Sequence, residues 1–119
     1  MKKLNKETGL AGEELALGYL LGLGYELLQR NFSTRFGEID LIMEDKNVIV
    51  FVEVKTKTTH DWGTPEEMFT RGKYRRVRNM ATVFLKGKEA LCRIDMVAVD
   101  LSDPPVLRHY PDVTINDYP

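Results

Sequence analysis

The sequence predicts an α/β fold in which a mixed β-sheet is flanked by helices. Three observations predict it. The β-branched run Val48-Ile49-Val50-Phe51-Val52 reads as a central strand buried on both faces. Segments 6–23 and 72–86 carry apolar residues at helical spacing. Strand patterns fill 25–55 between those helices, and another occupies 91–100 after the second.

The first helix, 6–23, holds Leu10, Leu15, Ala16, Leu17, Tyr19, Leu20, Leu21 and Leu23, more than one apolar stripe, and is expected to be well buried. Gly24 can end it in the left-handed conformation. Residues 25–32 suit a first strand. In 37–43, alternation sets Ile39, Leu41 and Met43 on one face and Glu38, Asp40 and Ile42 on the other. Glu44-Asp45-Lys46-Asn47 marks a turn, and the central strand then runs to Glu53-Val54-Lys55. Gly63 and Pro65 break 58–66 into a loop. On the second helix, Tyr74, Val77, Ala81 and Phe84 form a core stripe that leaves Arg75, Arg76, Arg78 and Lys86 outside it. After 91–100, Asp103-Pro104-Pro105 interrupts the chain, and Val106–Tyr110 can add a short edge strand. The 119 residues make one domain, 1–119, with 103–119 expected as a loosely attached tail.

Composition limits the function classes. No apolar run approaches the ~20 residues of a membrane helix, so no membrane association is expected. The charged start, Met1-Lys2-Lys3, leads into no apolar core of a signal peptide. Cys92 is the only cysteine, which excludes an intrachain disulfide and points to a reducing, cytoplasmic setting. The net charge of −1 does not mark a nucleic-acid binder, but the distribution is uneven. Between Arg71 and Lys88 there are seven Lys and Arg residues and no acid, whereas acids gather at 38–53.

The chemistry-bearing feature is charge at the end of a hydrophobic strand. Glu53 and Lys55 are two apart and share a face, opposite Val50, Val52 and Val54. Burying charge there is costly unless it is paired or metal-bound. If 37–43 and 48–55 form a hairpin about Lys46-Asn47, partners sum to 93 and Asp40 faces Glu53. Two carboxylates that close repel when ionised, and a divalent cation removes the repulsion. Mg2+ or Mn2+ held there can activate a water and stabilise phosphate charge, with Lys55 assisting. A plain Glu–Lys pair on an exposed strand face explains the same spacing without chemistry.

Asp40 followed by Glu53-Val54-Lys55 resembles the PD-(D/E)xK nuclease signature, with Ile39 where the strict signature has proline. The chain as a whole resembles the uncharacterised bacterial UPF0102 (YraN) family. The stretches that carry the resemblance begin with Gly12-Glu13-Glu14-Leu15-Ala16, Arg30-Asn31-Phe32 and Arg35-Phe36-Gly37-Glu38-Ile39-Asp40-Leu41-Ile42. They continue with Val50-Phe51-Val52-Glu53-Val54-Lys55-Thr56-Lys57, Gly63-Thr64-Pro65-Glu66-Glu67 and Cys92-Arg93-Ile94-Asp95-Met96-Val97-Ala98-Val99. That family is similar to archaeal Holliday-junction resolvases, which implies a restriction-endonuclease-like fold. The resemblance implies Asp40 and Glu53 as metal ligands, Lys55 as the catalytic lysine and Glu13 as an accessory acid, with Glu14 the alternative. It makes Glu38 a supporting acid beside Asp40. It also makes a homodimer an expectation to test, although no stripe in this chain demands one.

The basic segment supplies Arg71, Lys73, Arg75, Arg76 and Arg78 as candidate contacts to a phosphate backbone; a solvated helix face is the plain alternative. Trp62 is a candidate base-stacking residue or a core-edge residue, and His60 a proton relay or an exposed loop side chain. His109 and Cys92 are read as structural, and Arg93 and Asp95 as an ion pair. The expected function is a metal-dependent endonuclease acting on DNA rather than RNA, branched or single-stranded. The alternative is a non-catalytic nucleic-acid-binding module of a repair or processing complex.

Overall fold

A computed structural model describes residues 2–58, 63–114 and 116. His60 and Trp62 lie outside the described residues. The elements in order are α1 (Lys2–Gly22), β1 (Glu26–Thr34), β2 (Gly37–Asp45), β3 (Val48–Lys57), a 3-10 turn (Pro65–Met68), α2 (Arg71–Leu85), β4 (Cys92–Asp100) and β5 (Val106–Tyr110). The strands form one mixed sheet in the order β1-β2-β3-β4-β5. Only β3 and β4 run parallel, because α2 carries the chain from one to the other. A sheet with a helix on each face is the predicted fold class.

Local chemistry sets the boundaries. Lys46 and Asn47 both adopt positive φ, 50° and 70°, the two-residue turn whose twist suits a hairpin. That turn fixes the β2–β3 register from Asp45↔Val48 to Leu41↔Val52, all pairs summing to 93 as expected. The Thr70 side chain accepts the Lys73 backbone N–H at 3.2 Å and caps the start of α2. Gly24, at φ 97°, turns the chain out of α1 into β1.

The central strands β2, β3 and β4 are buried on both faces. Ala16, Leu17 and Leu20 of α1 pack with Leu41, Met43, Val50, Val52, Val54, Val97 and Val99. Phe69 and, from α2, Val77, Met80 and Ala81 pack with Ile39, Ile42, Phe51, Ile94 and Met96. Each large aliphatic residue so buried contributes about 2 kcal/mol, so this two-sided burial pins the register of the central strands.

Three sequence expectations change. Helix α1 is not buried all round: Leu10, Leu15, Tyr19 and Leu21 are exposed, since one sheet face is all the helix covers. Ile39 does not share a face with Leu41 and Met43 but joins the α2-side core. Strict alternation breaks at Asp40, opposite which β1 carries Asn31 at φ 51°. The loose tail expected from 103 is instead anchored through residue 113. Strand β5 pairs antiparallel with β4, and Val113 is buried with its N–H donating to the Ile94 carbonyl at 2.9 Å.

Candidate functional site

The site forms where two strands part. The β2–β3 ladder stops at Leu41↔Val52, and one step further the same register sets Asp40 opposite Glu53. Here the Asp40 side chain accepts the Val54 N–H on Oδ2 at 2.8 Å, so the ladder gives way to a side-chain contact. Glu53 is buried, and the Lys55 ammonium stands 3.9 Å from its Oε2. Helix α2 adds Lys73 and Arg76, whose charges act on Glu53.

Helix α1 approaches from the other side. A Cβ on Gly12 would overlap the Thr56 side chain, so only glycine lets α1 come this close to the end of β3. The next residue, Glu13, consequently lines a cavity of about 560 Å3 with Asp40, Lys55 and Thr56. Glu14 points elsewhere and pairs with Arg30 at 2.5 Å. Glu13, not Glu14, is therefore the helix acid beside Asp40. Asn31, with its amide nitrogen turned to the acids, donates to Glu13 Oε1 at 3.0 Å and Glu38 Oε1 at 3.2 Å. Glu38 also accepts the Ser33 hydroxyl at 3.1 Å.

Burial dominates the electrostatics of the fork. Burial, then Asp40, pushes the Glu53 carboxyl up to about 7. Burial, then Asp40 and Glu38, pushes Glu13 up to about 7 as well. Asp40 is also raised, mainly by burial, despite the Val54 N–H and Lys55. Burial, then the neighbouring Lys55, lowers Lys73. Among the described residues no three His, Cys, Asp or Glu side chains are grouped to hold one ion. A hard cation such as Mg2+ or Mn2+ does not need three: one or two carboxylates suffice when water and phosphate oxygens complete the shell. Glu53, buried, and Asp40, half-buried with its charge acting on Glu53, are carboxylates of that kind.

The basic residues of α2 divide between surroundings. Lys73 and Arg76 act on the acidic cluster, while Arg75 and Arg76 line a groove with Phe36. Arg78 lines a different cavity with Tyr74, Arg93 and Asp112, away from the fork. Arg71 lies in the exposed first turn of α2.

The model of the "Uncharacterised protein family UPF0102" matches residues 12–99. The chain belongs to the UPF0102 family. A UPF0102 protein of Mycolicibacterium vanbaalenii is 43% identical over 111 residues, covering 91% of this chain and 88% of its own. One from Syntrophomonas wolfei is 49% identical over 83 residues, 70% of this chain and 72% of its own. One from Alkalilimnicola ehrlichii is 45% identical over 107 residues, 87% of this chain and 85% of its own. The UPF0102 match begins at Gly12 and Glu13 and encloses Asp40, Glu53, Lys55 and Lys73.

Sequence reasoning passed over Asn31 and Gly12 as parts of this UPF0102 site. Their signals were present but quiet. An asparagine inside a strand pattern tolerates positive φ, and a glycine inside a helix pattern admits a close approach. One buried network away from the fork is structural. Asp95 accepts from Tyr25 at 3.1 Å, Arg93 Nε at 3.0 Å and the Asp112 N–H at 3.0 Å, and lies 2.8 Å from His109 Nε2. The Arg93–Asp95 pair and a structural His109 are both as expected. Cys92, expected to be structural, is exposed at the start of β4.

Proposed function

We propose that this UPF0102 chain is a metal-dependent endonuclease hydrolysing DNA phosphodiester bonds in branched or single-stranded substrates. The observation that carries the proposal is a pair of carboxylates, Glu53 buried and Asp40 half-buried, set at a strand fork with Lys55 beside them. Burial and their own proximity raise both carboxyls, and a bound cation would relieve that penalty. The order Asp40, Glu53-Val54-Lys55 also resembles the PD-(D/E)xK pattern, with Ile39 in place of its proline. Asp40 and Glu53 would hold Mg2+ or Mn2+, with Glu13 as accessory acid. When bound, the ion lowers the pKa of a coordinated water and offsets charge gathering on the phosphate. Lys55 orients the attacking water or stabilises the extra phosphate charge. Lys73 and Arg76 add positive charge on the α2 side, which favours the approach of a polyanion.

The test is cleavage of linear, nicked, flapped and four-way DNA with Mg2+ or Mn2+, alongside direct Mn2+ binding. Asp40→Asn and Glu53→Gln are expected to abolish both cutting and tight Mn2+ binding. Cutting that survives both substitutions rules this site out. The basic half of α2 favours a second reading, a nucleic-acid-binding module without turnover. That reading predicts salt-sensitive binding that needs no metal and weakens on Arg75 and Arg76 substitution.

A further inference from the structure

A groove of about 460 Å3 lies beside the fork, lined by Phe36, Gly72, Arg75, Arg76, Asn79 and Val83. Phe36 sits at the β1–β2 turn with 55% of its surface exposed. The turn is held: the Phe36 N–H donates to Thr34 Oγ1 at 3.0 Å. The Arg35 guanidinium lies over one face of the Phe36 ring, 4.9 Å from its centroid. A lone exposed apolar residue needs no explanation, but an aromatic ring in a groove with two arginines and no acid does. Arg76 links the groove to the acidic fork. It lines the groove, and its charge acts on Glu53. Gly37, next to Phe36, leaves room for the Arg76 side chain, whose Cδ would be 3.0 Å from a Cβ there.

We infer that this groove seats an unpaired nucleotide of a single-stranded nucleic acid, its base stacked on Phe36 and its phosphates paired with Arg75 and Arg76. The seat rests on the nucleic-acid reading of the neighbouring fork and adds to it the structure of the ligand. A base inside a duplex has its faces covered by its neighbours, so the ring rewards an unpaired base over a paired one. Asn79 offers a donor and an acceptor to the edge of the seated base. The groove has charge complementarity to a phosphate chain, and its aromatic wall distinguishes that chain from other polyanions.

The experiment measures binding of labelled short oligonucleotides to the full chain in EDTA, where no cutting occurs. Single-stranded, blunt-duplex and abasic single strands of equal phosphate number are compared for the wild type, Phe36→Ala and Phe36→Tyr. Phe36→Ala is expected to weaken single-strand binding roughly 5- to 100-fold, the range for loss of one stacked base. Its duplex and abasic affinities should match those of the wild type, and Phe36→Tyr should keep the single-strand affinity. Circular dichroism of each variant checks the fold. Equal single-strand binding by wild type and Phe36→Ala overturns the seat and leaves the fork reading intact. Equal loss on the abasic strand also overturns it, because charge or fold then explains the effect. A polyglutamate that competes as well as the oligonucleotide overturns it in favour of an acidic peptide. A wild type that binds no nucleic acid removes the underlying reading and the seat with it.

Discussion

At the scale of residues, Glu53 carries the main energetic argument. Its carboxyl is held up at about 7 by burial and by Asp40, against an ordinary value of 4.5. A raised carboxyl means that the folded state binds its proton more tightly than the unfolded state. Its contribution to stability is therefore lost as pH rises from 4.5 through about 7. Above that window the metal-free protein carries the full penalty of a buried, repelled charge. Glu53→Gln should raise the melting temperature of the metal-free protein near pH 8 by ~5 °C, and change it little near pH 4. Thermal unfolding in EDTA at the two pH values reads this directly. A lower melting temperature at the higher pH would show that Glu53 is a net stabiliser, contrary to a ligand waiting for its cation.

At the scale of elements, the close crossing of α1 over β3 sets where Glu13 stands. In an ordinary helix interior, glycine to alanine gains about 1 kcal/mol. Gly18 has open space around its Cβ position, so Gly18→Ala should show that gain. Gly12 does not, because its Cβ would run into Thr56. Overpacking there costs about 1–3 kcal/mol, which outweighs the propensity gain. Gly12→Ala should therefore destabilise the chain in urea while Gly18→Ala stabilises it. Gly12→Ala should also weaken Mn2+ binding by moving Glu13 away from Asp40. Equal and stabilising shifts for both variants would mean that α1 sits further from β3 than described.

At the scale of the whole molecule, the second half of the sheet is tied to the crossover by one charged cluster. Arg108 of β5 donates to Glu66 of the 3-10 turn through Nε and Nη2, and to Asp100 of β4 through Nη1 at 2.7 Å. The Tyr110 hydroxyl donates to Glu66 at 2.7 Å. The hydrogen bond from Arg108 is the main cause that holds the Glu66 carboxyl down at about 2, well under its usual 4.5. A depressed carboxyl stabilises the fold above its unfolded value and loses that contribution as pH falls from 4.5 towards 2. Glu66→Gln should cost about 1–2 kcal/mol near neutral pH and almost nothing near pH 2. Denaturant titrations across pH measure the difference. A constant difference would mean that shape, not charge, makes the contact. No helix among the described residues is long and apolar enough to cross a membrane.

Local pattern was enough for the elements and for the central pairing. The run Val48–Val52 is apolar on both sides, and Lys46-Asn47 accepts the positive φ of a tight turn, so strand, hairpin and register follow from neighbours in sequence. Carried one step past Leu41↔Val52, the same arithmetic reaches Asp40 and Glu53, where the ladder has stopped. Only the folded chain decided the rest. It chose Glu13 over Glu14, broke the alternation at Asp40, brought Lys73 and Arg76 against Glu53, and made Asp95 the centre of a buried network. These outcomes depend on how helices settle on a sheet, on contacts between residues far apart in the chain. Such contacts are fixed by close packing and by the need to satisfy buried charge, and neither leaves a period in the sequence.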